Sequence, residues 1–390
     1  MEILIALLLL LSFSTILGKL FERLGITEIV GQIIAGVLLS PAVFNIVSPS
    51  TVLSGIAEVA IFFILLFIGL QITTEVLTNH LKSAMTFTAS SFAMPVILMV
   101  LIAIFVFHLG LASGVITAVA IGVPSISIIS VLVYRYSMIN LEDGKRILSG
   151  VIMADILAFV VLAAALQISH LAGVVISIIV FLAVLLYIDR TLRYHDVKVR
   201  GFFERMLKEK EEAVIFAIVI ILSLVIAAIL QLIGITYVLG ALFAGMLIHK
   251  TTVGAHATRM LENTFRRLND SFFIPVFFSI AGLDFAVPSL GFSELLLSMV
   301  LISALVGGIL NYLVAKNRLS RISSRESIGI LGSRGAVGII IATIALQGGI
   351  INNQLYTVVL VGTIILSLIM PLLLSKKARS NTASLATPNI

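Results

Sequence analysis

Thirteen apolar runs follow one another through this chain with short polar connections between them. In lipid every backbone N–H and C=O must find its partner inside the protein, so runs of this kind have two outcomes, helices or a closed barrel. Barrel strands alternate apolar and polar residues over about ten positions. Stretches such as IFFILLFIGL (61–70) do not alternate. The pattern therefore predicts an all-α polytopic membrane protein with 13 transmembrane helices. Composition agrees, since 60% of the 390 residues are hydrophobic and 11% charged, whereas about a quarter of a soluble domain is charged. With no cysteine, disulfides and thiolate ligands are excluded. The opening MEILIALLLLLSFSTILG lacks a basic start and a small-residue cleavage site, and reads as a retained span.

The charges are sorted. Every Lys and Arg except Arg334 falls at the ends of the spans on one side of the predicted membrane, in alternate connections. The positive-inside rule then places the N-terminus outside and the C-terminus in the cytoplasm of a cell (inner or plasma) membrane. A net charge of +6 is by itself compatible with a nucleic-acid partner. The sorted charges instead belong to the lipid bilayer, and no nucleic acid is expected. Residues 169–211 read as a linker helix and cytoplasmic loop, and 376–390 as a polar cytoplasmic tail.

The chain also repeats itself. LGITEIVGQIIAGVLLS (24–40) returns as IGITYVLGALFAGMLIH (233–249), and IFFILLFIGLQI (61–72) is echoed by FIPVFFSIAGLDF (273–285). The first pair is seven spans apart, and an odd separation reverses orientation. Spans 1–6 and 8–13 thus form two inverted six-helix repeats, an arrangement common in secondary transporters, whose sites lie at the midplane where repeats meet.

That plane holds few ionisable groups. Asp155 lies ten residues past Lys145 on the sixth span, about 15 Å along a helix. Intramembrane acids face a bundle interior or a wet cavity and mark ion or proton paths. The fifth and twelfth spans, which correspond in the repeat, are each interrupted, by Pro124 with Ser125 and Ser127, and by Ser333, Arg334 and two glycines. Such breaks free backbone groups at mid-membrane, and these need a cavity or an ion. Arg334 cannot lose its proton and needs a partner there, for which Asp155, Glu58 and the dipoles of the broken helices are available. Asp270 reads as the cytoplasmic start of the tenth span, where a helix N-terminus and solvent account for it.

These residues resemble the monovalent cation:proton antiporter superfamily, which includes the sodium/proton exchangers. The resemblance rests on LGITEIVGQIIAGVLLSP, AEVAIFFILLFIGL, the Asp of the sixth span and the Arg-Gly of the twelfth, and it covers about 1–375. It implies a homodimer, with a dimerisation domain at 1–72 and 212–285 and a mobile core domain at 73–168 and 292–375. It also implies that the fifth and twelfth spans are crossed, partly unwound helices. Three positions depart from the pattern. Ala154 precedes Asp155 where members carry a second acid or an Asn, Gln71 stands where an acid often follows Gly-Leu, and the eleventh span has Asn311 as its only amide and no lysine.

One carboxylate therefore remains to hold either a cation or a proton. The expected function is exchange of Na⁺ (or Li⁺) for H⁺ by alternating access, electroneutral and one for one, serving pH homeostasis. Asp155 is the shared site, with Ser125 and Ser127 as further oxygen ligands for Na⁺. Arg334, Pro124, Ala154, Glu58 and Asn311 shape the site or balance its charge. Na⁺ and H⁺ are substrates and no cofactor is implied. A K⁺/H⁺ antiporter, a K⁺ efflux protein, and a Na⁺-coupled organic-anion symporter with Arg334 on the carboxylate use the same spans. No paired catalytic constellation or phosphate loop suggests an enzyme.

Overall fold

The computed structural model describes residues 3–24, 26–71, 81–125, 142–166, 212–232, 237–248, 255–319 and 324–370, and every regular element among them is helical. The first half comprises α1 (Ile3–Arg23), α2 (Glu28–Leu39), α3 (Thr51–Gln71), α4 (Leu81–Thr88), a π-helical turn (Ala89–Ala93), α5 (Met94–Phe105), α6 (Leu111–Gly122) and α7 (Glu142–Leu166). The second comprises α8 (Glu212–Leu232), α9 (Tyr237–Leu247), α10 (Ala255–Leu268), a second π turn (Asn269–Phe273), α11 (Ile274–Leu283), α12 (Leu290–Arg318), α13 (Ser324–Gly332), α14 (Ala336–Gln347) and α15 (Asn353–Ile369). The expected spans fall on these helices, apart from the seventh and the second half of the fifth, which lie outside the described residues.

Two compact units divide the chain, 1–54 with 76–166 and 278–390, and 55–75 with 167–277. Both are assembled by close backbone approach at small residues, the usual substitute in lipid for a hydrophobic driving force between helices. In the first unit, Gly36 of α2 lies against Gly282 of α11, where an added Cβ would meet the Gly282 Cα at 3.0 Å. In the second, Gly245 of α9 lies against Gly69 of α3, where an added Cβ would meet the Gly69 Cα at 2.8 Å. Gly36 and Gly245 occupy matching positions in the repeated sequence, as do Gly69 and Gly282. The two contacts therefore exchange with one another under the repeat.

Within the second unit aromatic side chains fill the remaining space, with Phe63 of α3 stacked on Phe273 at 4.5 Å and Phe216 of α8 against Phe265 of α10 at 4.7 Å. The helical path of the tenth span starts earlier than the sequence suggests. α10 buries Ala257, Leu261 and Phe265 and exposes Arg259, Arg266 and Arg267, so it is amphipathic. It then runs through the second π turn into apolar α11. Asp270 is consequently an exposed residue of that π turn, in the middle of a continuous path, and not at a helix N-terminus.

The first unit holds the expected site. α7 docks on α4, where Gly150 leaves room for Phe87 and Thr88 Oγ1 donates to the Gly150 carbonyl at 2.8 Å. α6 packs on α5, with Gly122 against Val96 and Met99. α6 and α14 have 12 residues each, about 18 Å of helix where a hydrocarbon core is about 30 Å thick. Both must stop inside the membrane.

Candidate ion-binding site

The stop in α6 is dictated locally. A residue that precedes proline is pushed from the helical region towards extended backbone, and Val123 is extended at φ −68°, ψ 127°. Proline has no N–H to continue the ladder, so the chain leaves the helix through Val123–Ser125. On the other side α13 ends at Gly332 and α14 begins at Ala336, with Gly335 extended between them at φ −170°. The two broken segments meet. Pro124 and Arg334 form an isolated antiparallel bridge, and the Ser125 N–H donates to the Ser333 carbonyl at 2.9 Å. Gly338 lets α14 approach α6 until its backbone touches the Ala120 carbonyl. The expected breaks in the fifth and twelfth spans are thus present and meet, with Pro124 at the crossing point.

Two hydroxyls secure the break in the twelfth span. Ser333 Oγ donates to the Gly329 carbonyl at 2.7 Å, and Ser367 Oγ of α15 donates to the Arg334 carbonyl at 2.6 Å. Ser125, also at the crossing, is buried. Ser127 lies outside the described residues.

Arg334 projects from this crossing into a fully buried cage. Its Nε and Nη2 donate to Ser303 Oγ of α12 at 3.3 and 3.1 Å. Nη1 donates to the Leu331 carbonyl at 3.2 Å, and Nη2 also to the Ser91 carbonyl at 3.2 Å. None of these acceptors is charged. Of the three partners the sequence suggests for Arg334, only the broken-helix dipole is used, since Leu331 O belongs to the C-terminal end of α13. Asp155 does not bond to it, and Glu58 is an exposed residue of α3.

Asp155 lies on α7, fully buried beside fully buried Ala154. Among the described residues neither carboxylate oxygen has a hydrogen-bond partner. A buried ionised carboxylate without partners is unstable by several kcal/mol. Asn311 of α12 is also fully buried, and neither its amide oxygen nor its nitrogen has a partner among the described residues. Its backbone carbonyl accepts a long bond of 3.4 Å from Ser327 Oγ.

The family description "Sodium/hydrogen exchanger, transmembrane" matches residues 8–376. The chain belongs to that family. As a sodium/hydrogen exchanger it is a multi-pass membrane transporter of monovalent cations and protons, not an enzyme. It is 28% identical to a Na⁺/H⁺ antiporter of Enterococcus hirae, over 98% of this chain and all of that one. It is 22% identical to a probable Na⁺/H⁺ antiporter of Methanocaldococcus jannaschii over 93% of each. The fold matches the sodium proton antiporter MjNhaP1 of the same organism with a TM-score of 0.65 at 17% identity, over 98% of this chain and 96% of that one.

The arginine cage is the part least visible in the exchanger's sequence. Ser303 is one hydroxyl among several on an apolar span, and Ser91 and Leu331 contribute carbonyls, which every residue has. One signal exists for Ser91, namely a proline four residues later at position 95.

Proposed function

We propose that this exchanger moves one Na⁺ (or Li⁺) against one H⁺ per cycle, with Asp155 holding the two in turn. The observation that carries the reading is the buried pair of Asp155 oxygens without a hydrogen-bond partner among the described residues. Ionised, the carboxylate takes a dehydrated cation, assisted by Ser125, Ser127 and carbonyls of the broken helices, since hard cations take oxygen ligands. Protonated, it is neutral and lets the cation go. Either loaded form can pass a low-dielectric barrier that the bare carboxylate cannot. Ala154 supplies no second acid, which supports a one-for-one, electroneutral exchange with no resident cofactor.

In this reading the core domain, 73–168 and 292–375, moves against a dimerisation domain, 1–72 and 212–285, within a homodimer in the cell membrane. The C-terminus is cytoplasmic. Four hydrogen bonds already engage the guanidinium of Arg334, which argues against an organic anion bound there. The test is cation-driven proton flux in proteoliposomes with Na⁺, Li⁺ and K⁺, with and without an imposed voltage. Equal rates with and without voltage are expected, and a rate that follows voltage would contradict the one-for-one exchange.

A further inference from the structure

The Ser91 carbonyl that receives Arg334 is available because of a proline four residues further along the helix. In an α-helix the carbonyl of residue 91 is taken by the N–H of residue 95. Residue 95 is proline and has no N–H. The helix answers with the π turn Ala89–Ala93, in which the Met94 N–H reaches back to the Ala89 carbonyl. The hydroxyls of Ser90 and Ser91 turn back on the Phe87 carbonyl, at 3.1 and 2.6 Å, and so do not compete for the Ser91 carbonyl. Arg334 Nη2 takes that carbonyl at 3.2 Å. The proline ring closes the same corner, since a Cβ at Gly307 of α12 would lie 3.5 Å from Pro95 Cγ and 3.9 Å from Arg334 Nη2.

The chain contains its own comparison. SFAMPV (91–96) and SFFIPV (271–276) share four of six residues, including the Ser and the Pro four positions apart, and each carries a π turn ending two residues before the proline. At the second site Ser271 is exposed, and among the described residues no side chain donates to its carbonyl. The π turn thus arises from the local sequence, whereas the arginine contact is specific to the first copy.

We propose that Pro95 is a positioning residue for Arg334: by withholding a backbone N–H it reserves the Ser91 carbonyl for the guanidinium and fixes the buried positive charge at the helix crossing. Among the described residues the charge is held by neutral oxygens. The link from this geometry to transport rests on the ion-exchange reading above. The geometry itself does not.

A double-mutant cycle on thermal stability of the full-length protein tests it, with Pro95→Ala and Arg334→Lys singly and together. Pro95→Ala restores the N–H, closes the helix on Ser91 O and removes one acceptor from Arg334. The expected result is a drop in midpoint temperature that shrinks to less than about half when Arg334 is already lysine, because coupled residues are not additive. Pro275→Ala should be additive with Arg334→Lys. Full additivity for Pro95→Ala as well would overturn the proposal. If Pro95→Ala is not recovered folded with Arg334 present, recovery in the Arg334→Lys background supports the proposal and failure in both contradicts it. In liposomes Pro95→Ala should shift the pH at half-maximal flux, whereas a purely structural loss lowers flux equally at every pH. A coupled cycle with an unshifted profile would leave the contact standing and count against the ion-exchange reading.

Discussion

Arg334 and Asp155 are both fully buried in the same unit, yet the protein treats them in opposite ways. The guanidinium makes four hydrogen bonds, to Ser303, Leu331 and Ser91, while the carboxylate makes none among the described residues. Under the proposed exchange, the charge that stays is caged and the charge that is exchanged is left open. Any strong donor fixed on Asp155 would have to be displaced by each incoming cation, so its open coordination is what a site of alternating occupancy requires.

The largest effect that could break this contrast comes from Arg334→Leu. It strands three acceptors, each costing about 1–3 kcal/mol when left unsatisfied, against which the relief of burying a charge is a partial offset. A net loss of roughly 3 kcal/mol is expected in thermal or denaturant unfolding. Stability equal to the parent would mean the cage holds nothing.

Next comes Gly338→Ala, which places a methyl on the Ala120 carbonyl and must push α14 from α6. The cost is about 1–3 kcal/mol, as for other overpacking, together with loss of flux. Unchanged flux would show that the crossing tolerates a different spacing. Ser303→Ala removes one acceptor serving two Arg334 nitrogens and should cost about 1–2 kcal/mol, with expression and fold retained. Equal stability would assign the cage to the carbonyls alone.

The smallest effect separates the pH dependence of stability from that of transport. Asp284 begins the connection after α11, and burial pushes its carboxyl up to about 6. Its unfolded value is about 3.9. The folded protein therefore binds the proton more tightly, and stability increases as pH falls from above 6 towards 4. The burial penalty is fully present only above 6. Asp284→Asn should flatten that rise and stabilise the protein above pH 6, with the pH profile of flux unchanged. A shifted flux profile would bring Asp284 into the transport path.

Much of this is legible in the amino-acid sequence. Uninterrupted apolar runs dictate the helices, and Pro124 and the glycines around Ser333 dictate where two of them break, because those residues act on their own backbone. The cage is not legible, since Ser91, Ser303 and Leu331 come from three helices and two of them offer only carbonyls. Pro95 gives little warning because a proline in a span reads as a simple kink, while its consequence is a carbonyl given to a residue 243 positions away. Asp270 is solvent-exposed as expected, but the helix N-terminus expected there is absent for a related reason. α10 is too polar to register as membrane span, so the sequence reads as though the helix began where the apolar residues do.

The most direct measurement is Asp155→Asn, followed in the same preparation by thermal unfolding and by Na⁺-dependent proton flux in proteoliposomes. Asparagine keeps the shape, gives up no hydrogen bond to a described residue and cannot ionise. The account predicts stability at or above that of the parent, with flux reduced by at least about 100-fold, the scale expected when the group that carries the proton is lost. Flux comparable to the parent would contradict it.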